Sequence, residues 1–404
     1  MNQSERLALY GGKPVRAKLL PYGRQAIAEE DIQAVVNVLR SDWLTTGPNI
    51  EEFENAVAAR VDAQYAVAFS SGTAALHGAV FAANLGAGDE AITSPLTFAA
   101  TANCLLYQGA TPVFADVCAD TLTIDPNEIL KRLTPRTKAL LPVDYAGHPA
   151  DLDAIQEIAR AKNLIVIEDA AHALGATYHG KKVGSIADMT MFSFHPVKHI
   201  TTGEGGIITT NRAAYYERLK LFRSHGINSD ARKRNEAGNW FYEMIALGYN
   251  YRLTDIGAVL GLSQLKRLDA NLARRREIAA HYTRAFSGMD GIVVPHVRDH
   301  VEPAWHLYPI QVKSAKLKAP SGRAEIFKAL RAENIGVNVH YIPVHLHPYY
   351  RERFGYRGGE HPVAERAYAD LISLPMFHAM TDEDVRDVEQ AMGKVMEVFG
   401  EPSD

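Results

Sequence analysis

Two residues define the chemistry open to this chain: Asp169 in LIVIEDAAHALG and Lys198 in MFSFHPVKHITTGEGG. Asp169 stands just past the carboxyl end of a strongly apolar segment, where open α/β sheets collect ligand-binding residues. A lone carboxylate there is more often a turn or cap residue, so it needs partners to mean more. Lys198 follows a second short apolar run and precedes a glycine-rich turn. Lysine forms imines with carbonyl cofactors when desolvation or nearby cations lower its pKa. A third element, YAVAFSSGTAALHGAV, turns a strand through Ser71, Gly72 and Thr73 directly into an alanine-rich helix. Free backbone N–H groups and the positive end of the helix dipole meet there, with two hydroxyls able to donate to a phosphate. The same Ser-Gly-Thr is also an ordinary helix cap. Together the three elements fit pyridoxal phosphate (PLP), whose aldehyde needs a lysine, its pyridine nitrogen an acid and its phosphate an anion cradle. Phe98, in SPLTFAATAN, is the candidate to stack on the ring.

Positioning these groups requires an α/β fold. Short Val- and Ile-rich runs alternate with helical segments, which predicts a mostly parallel sheet flanked by helices. Strands are expected at Ala66–Phe69, Glu90–Thr93, Pro112–Ala115, Ala139–Val143, Leu164–Glu168, Met189–Ser193 and Gly206–Thr210. Leu253–Phe286 reads as largely helical, with Leu265, Leu268 and Leu272 on one face. Strands near Leu307–Val312 and Gly336–Tyr341, with helices near Arg323–Glu333 and Asp382–Phe399, predict a smaller α+β domain. The division is an N-terminal arm over 1–20, a large domain over 21–255 and a small C-terminal domain over 256–404.

With 404 residues, 47% of them hydrophobic and 22% charged, the chain has enough apolar side chain to fold compactly, and its length favours two domains. The balance of 43 basic against 47 acidic residues implies no nucleic-acid partner. Only Cys104 and Cys118 occur, which fits a reducing compartment and a cytoplasmic location. No long apolar run or signal-like N-terminus is present, so no membrane partner is expected. GATYHGKK approaches P-loop spacing but has Lys182 where Ser or Thr would ligate magnesium, and reads better as a hairpin turn at His179–Lys182. His340, His345 and His347 lack the spacing or cysteine partners of a zinc site, so no metal is expected. Arg274–Arg276 and the Arg232-Lys233-Arg234 run read as solvated surface, or as attractors of an anionic nucleotide.

Nine segments in order, DWLTTGPNIEEFE, SSGTAALH, TFAATAN, PVFADV, EDAAHALGA, FSFHPVKHITTGEGG, LGYNYRLTDI, VHYIPVHLHPYY and SLPMFHAMTDEDV, resemble the DegT/DnrJ/StrS family of PLP-dependent nucleotide-sugar aminotransferases. The resemblance implies a fold-type I aminotransferase architecture, with Lys198 as the imine-forming lysine and Asp169 as partner of the pyridine nitrogen. Ser71, Gly72, Thr73 and Ser193 would hold the phosphate, and His172 would lie near the ring. Asn250 resembles an asparagine that reaches the phosphate of the neighbouring subunit, implying a homodimer with shared sites. Thr45, Thr46 and Gly47, with His340 and Tyr341, would lie beside the sugar nucleotide. VDYAGH, LFRSHGI and GLSQLKR are similar to the subgroup of pseudaminic acid biosynthesis. That subgroup aminates C4 of a UDP-linked 4-keto-6-deoxy-N-acetylhexosamine, with L-glutamate as donor. Another nucleotide-linked keto sugar, or a non-catalytic PLP-binding sensor, remains an alternative. Intact Lys198 and Asp169 weigh against the sensor.

Overall fold

The structure, a computed structural model, describes residues 6–229, 232, 234, 237–318 and 321–401. Residues 1–5 of the expected arm and Lys233 of the second basic run lie outside them. The first half of the chain supplies β1 (Tyr65–Phe69), β2 (Glu90–Thr93), β3 (Thr111–Phe114), β4 (Thr137–Leu141) and β5 (Ile165–Asp169). A short hairpin follows, β6 (Thr177–Tyr178) and β7 (Lys181–Lys182), and then β8 (Met189–Ser193) and β9 (Gly206–Thr210). The hairpin occupies the segment that approached P-loop spacing, and His179 and Gly180 turn it with φ of 48° and 74°.

Seven strands form one sheet in the order β1-β9-β8-β5-β4-β2-β3. From β3 to β8 the neighbours run parallel, while β9 is antiparallel to both β8 and β1. Helices cover both faces, which is why these strands read as nearly continuous apolar runs. On one face, Ala75, Leu76, Ala79 and Val80 of the helix Gly72–Ala82 pack with Val67, Phe69, Met191 and Ile208. Two glycines make that approach possible. A Cβ on Gly78 would stand 2.7 Å from the Phe69 ring, and one on Gly206 would stand 2.6 Å from the Gly72 Cα. On the other face, Phe53 and Val57 of the helix Pro48–Arg60 meet Phe192, Phe194 and Ile207.

The expected long helical stretch is two helices, Asp255–Leu265 and Leu268–Phe286. Ala258, Leu268 and Leu272 belong to the core that contains Phe53 and Phe192, whereas Ile278, Ala279, Tyr282 and Phe286 belong to a second core. The change from one core to the other therefore falls along the second helix. That second core is built on a small antiparallel sheet, β10 (Ile292–Val293), β12 (Tyr308–Val312) and β13 (Leu371–Leu374), with the helices Arg323–Ala332 and Asp382–Phe399. Leu7 and Leu20 of the N-terminal segment pack into it as well. The remaining strand, β11 (Val301–Glu302), pairs with β6.

The strand expected at Gly336–Tyr341 does not form. Gly336 donates its N–H to Leu20 O at 2.7 Å, and only Asn338 pairs with Ser373 before the chain leaves the sheet. The third strand beside β12 is β13, and the freed segment carries His340 and Tyr341 towards the end of the large sheet.

Candidate active site

A cavity of about 400 Å³ opens beyond the carboxyl ends of β2, β4, β5 and β8, within the usual size range of small-molecule sites. Ser71, Gly72, Thr73, Phe98, Asp169, His172, Ser193, Lys198, His340 and Tyr341 all line it. Residues far apart in the chain meet there because parallel strands deliver their following loops to one edge.

Ser71 ends the turn after β1 in an extended conformation, and its side chain accepts the Ala74 N–H, so it caps the helix Gly72–Ala82. A cap of this kind leaves other first-turn N–H groups without intrahelical partners, and Gly72 and Thr73 line the cavity. Ser193 closes this corner from β8, and a Cβ on Gly72 would sit 3.3 Å from its Cβ and Oγ.

Asp169 ends β5 and is 5% exposed. Its Oδ2 accepts the Thr101 hydroxyl at 2.6 Å and its Oδ1 accepts the Ala171 N–H at 3.2 Å. Burial raises its pKa above the ordinary aspartate value, while those two donors and the nearby Lys198 charge pull the other way. Thr101 sits four residues after Thr97 at the start of the helix Ala100–Tyr107, and their hydroxyls are bonded at 2.8 Å.

Lys198 lies in the turn after β8, its N–H bonded to the His195 carbonyl at 2.9 Å. Burial lowers its pKa to about 7, with Asp169 opposing the shift and Arg275 reinforcing it. Near neutral pH such an amine exists in both protonation states, the condition for giving and taking a proton. Its Nζ is 3.3 Å from His306 Nε2. His172 bonds Tyr341 Oη through Nε2 at 3.0 Å, and its ring lies 4.4 Å from that of His306. Burial drives both imidazoles well below the ordinary histidine pKa, so both stay neutral. His340 is held by Ser373 Oγ, 2.9 Å from its Nδ1.

Phe98 is 62% exposed, its ring 6.1 Å from that of Tyr341, and it stands over the opening rather than in a core. Thr45, Thr46, Gly47 and Asn250 do not line the cavity. Thr45 pairs with Thr254, the Gly47 N–H bonds Asp255 Oδ2 at 2.7 Å, and exposed Asn250 pairs with Ser224. The turn and the asparagine segment thus adjoin one another outside the cavity lining, the latter tied to the β1 turn by the Ser70 N–H on the Tyr251 carbonyl at 2.7 Å. The three histidines close in sequence also separate, since His340 faces the cavity whereas His345 Nε2 bonds Glu365 Oε1 at 2.9 Å. Thr101 and His306 are site residues that no motif marked; Thr101 lay inside the quoted TFAATAN segment, and AWHLY carried no signal of chemistry. Arg275 corrects the expectation for its run, being 1% exposed rather than a solvated helix face.

A model of the DegT/DnrJ/EryC1/StrS aminotransferase family matches residues 25–393. The chain belongs to this family. Like other such aminotransferases, it is a PLP-dependent transaminase with the aminotransferase fold. The spore coat polysaccharide biosynthesis protein SpsC of Bacillus subtilis is 45% identical over 383 residues, 94% of this chain and 98% of SpsC. Helicobacter pylori PseC, an aminotransferase involved in the biosynthesis of pseudoaminic acid, superposes with a TM-score of 0.87 at 34% identity, over 94% of this chain and all (100%) of PseC. Spr1654 of Streptococcus pneumoniae in its PLP form superposes with a TM-score of 0.86 at 32% identity, over 94% of this chain and 99% of the other. The donors present suit PLP: a low-pKa amine, a buried carboxylate and a helix N-terminus share one cavity of adequate size.

Proposed function

We propose that this aminotransferase moves the amino group of L-glutamate to C4 of a UDP-linked 4-keto-6-deoxy-N-acetylhexosamine, as an amination step towards pseudaminic acid. The observation that carries the reading is the neutral-range amine of Lys198 placed in one cavity with Asp169 and the Ser71–Thr73 helix start. PseC as a structural relative, SpsC as a polysaccharide-pathway relative, and the VDYAGH, LFRSHGI and GLSQLKR segments favour this sugar class over other carbonyl substrates.

When bound, PLP supplies an electron sink that stabilises a carbanion at the carbon bearing the amine. Ser71, Gly72, Thr73 and Ser193 bind its phosphate. Asp169, aimed by Thr101 and Ala171, would accept the N–H of the pyridine nitrogen. His172 stays neutral beside the ring, fixed by Tyr341. Lys198 Nζ would take the proton from the α-carbon of glutamate in the first half-reaction and deliver one to C4 of the sugar in the second. Tyr22, His340 and Tyr341 form the wall that would meet the sugar.

The test is the visible spectrum of the PLP-loaded protein. L-Glutamate should bleach the band, and the UDP-4-keto sugar should restore it. A band that responds to glutamate but only to a different keto sugar would replace the substrate; one that never responds to amino donors would favour a PLP-binding sensor.

The same reading makes the enzyme a homodimer. Trp240, Phe241, Tyr242, Met244, Ile245 and Leu247 are all exposed, beside the segment that carries Asn250. So dense an apolar stretch on a soluble surface marks an interaction site. We place a second copy of the chain there, bringing Asn250 to the partner's phosphate cradle. Sedimentation should give a dimer, and Asn250→Ala should weaken PLP binding about tenfold, the loss of one charge-assisted hydrogen bond. A monomer with full PLP affinity would refute this arrangement.

A further inference from the structure

Arg275 is buried, yet among the described residues no carboxylate pairs with it. Its neighbours do pair: Arg274 with Asp382 at 2.7 Å and Arg276 with Glu302 at 2.9 Å. Arg275 Nη1 instead donates to three backbone carbonyls, those of Trp305 at 3.0 Å, His306 at 3.3 Å and Met376 at 3.0 Å, while its Nε has no partner. A buried cation neutralised only by carbonyl dipoles is costly, and folds retain such groups where another demand outweighs stability.

The demand is visible at the other end of the same contact. Trp305 is held in a left-handed conformation, with φ of 49°, which a bulky residue rarely adopts without external restraint. Arg275 bonds the Trp305 carbonyl, and the flanking Ala304 and Leu307 N–H groups bond Gly147 O at 3.0 Å and Ala146 O at 3.3 Å, an approach that a Cβ on Gly147, 2.7 Å from Trp305 N, would block. The pinned backbone presents the His306 ring to Lys198, at 3.3 Å from Nε2 to Nζ.

We propose that Arg275 and His306 are positioning residues for Lys198: Arg275 pins the Trp305–His306 backbone and places an unpaired cation near the lysine, and His306 Nε2 accepts an N–H of the free amine. The imidazole then carries its own proton on Nδ1, which has no partner. Held in this way, the amine of Lys198 keeps one orientation while it is not bonded to the cofactor, and its lone pair stays available for the substrate proton. The groups facing Lys198 are Asp169 and His172 from the end of β5, adjoining His199, His306, His340, and Arg275. Of these, Asp169 favours the ammonium, Arg275 opposes it, and the imidazoles are neutral, so removing Arg275 has a definite sign.

The proposal rests on the role of Lys198 given above, and its first test is read without cofactor or substrate, so there the two fail separately. Cofactor-free protein is acetylated with acetic anhydride across neutral pH, and Lys198 modification is quantified by mass spectrometry. Only the neutral amine reacts, and the wild-type midpoint should lie near 7. Arg275→Met should move the midpoint upward by about one pKa unit and slow acetylation by about fivefold at pH 7, approaching about tenfold below the wild-type midpoint. Arg275→Lys should leave it in place. An unchanged midpoint in Arg275→Met with a native near-ultraviolet circular dichroism spectrum overturns the proposal. Should that variant not fold, the His306 pair decides. His306→Ala should slow the glutamate-driven bleaching of the PLP-loaded protein by about tenfold, and His306→Gln, whose side-chain oxygen can accept the same N–H, should recover most of the rate. Equal rates in all three proteins, or equal loss in both variants, overturn it.

Discussion

Lys198→Ala is expected to abolish transamination, with turnover lower by at least about 10⁴-fold, the upper range for losing a positioned general base, and to remove the visible imine absorbance with it. The two losses should coincide because the proposed mechanism gives one nitrogen both roles: bonding the cofactor and, once displaced, moving the proton. A second expectation separates this from unfolding. Burial holds the Lys198 pKa at about 7 against 10.5 for a free lysine, so the charged amine is less stable in the folded chain. The unfolded chain binds more protons between those two values, and stability therefore rises with pH across that window. The penalty is complete below about 7 and relieved as pH approaches 10.5. Cofactor-free Lys198→Ala should consequently melt at or above the wild-type temperature, with the larger gain at neutral pH. Activity and stability would thus move in opposite directions. Retained turnover in Lys198→Ala, measured as 2-oxoglutarate released, would end the mechanism.

Several residues that were legible in the sequence share a physical property: they sit at the end of a strand or the start of a helix, where a local motif determines the backbone, and Lys198 lies in the turn that follows such a strand. Asp169, Ser193 and the Ser71–Thr73 turn are of this kind, and each follows an apolar run whose length announces a buried strand. Residues that act from a distance gave no such signal. Thr101 matters because the helix after β2 lies beside the end of β5, and no spacing within TFAATAN predicts that. Arg275 looked like one member of a solvated basic run because composition cannot show which of three adjacent arginines faces inward along a helix. The missing strand at Gly336–Tyr341 has the same origin. Its apolar pattern suits a strand, but Leu20, more than three hundred residues earlier, takes the Gly336 N–H. Thr45, Thr46, Gly47 and Asn250 do not line the cavity of their own chain, so the expected roles of the turn beside the sugar nucleotide and of Asn250 at the phosphate would take a second copy.

Asp169→Asn should retain PLP, through Lys198 and the phosphate cradle, while losing about 10²- to 10⁴-fold in rate. The reason lies in the proton inventory around the carboxylate. Thr101 and Ala171 already donate to both Asp169 oxygens, so a carboxylate has lone pairs to spare for one further proton donor, the ring nitrogen. An amide of the same shape keeps one oxygen for Thr101 or Ala171 and turns an N–H₂ towards the other, which must either lose a donor or face the ring nitrogen as a donor itself. In either case the pyridine nitrogen loses the negative charge that keeps it protonated, and the electron sink weakens. Burial strengthens the effect because little water reaches the site to replace the lost charge. The pH dependence should change as well. Asp169 supports the ammonium form of Lys198, so its removal should lower the lysine midpoint in the cofactor-free protein, opposite in sign to the shift expected for Arg275→Met. Rapid-mixing absorbance with L-glutamate separates binding from chemistry: the expected outcome is an intact initial spectrum and slow bleaching. Bleaching at the wild-type rate would show that the ring nitrogen needs no acidic partner here, and Asp169 would revert to a strand-end cap.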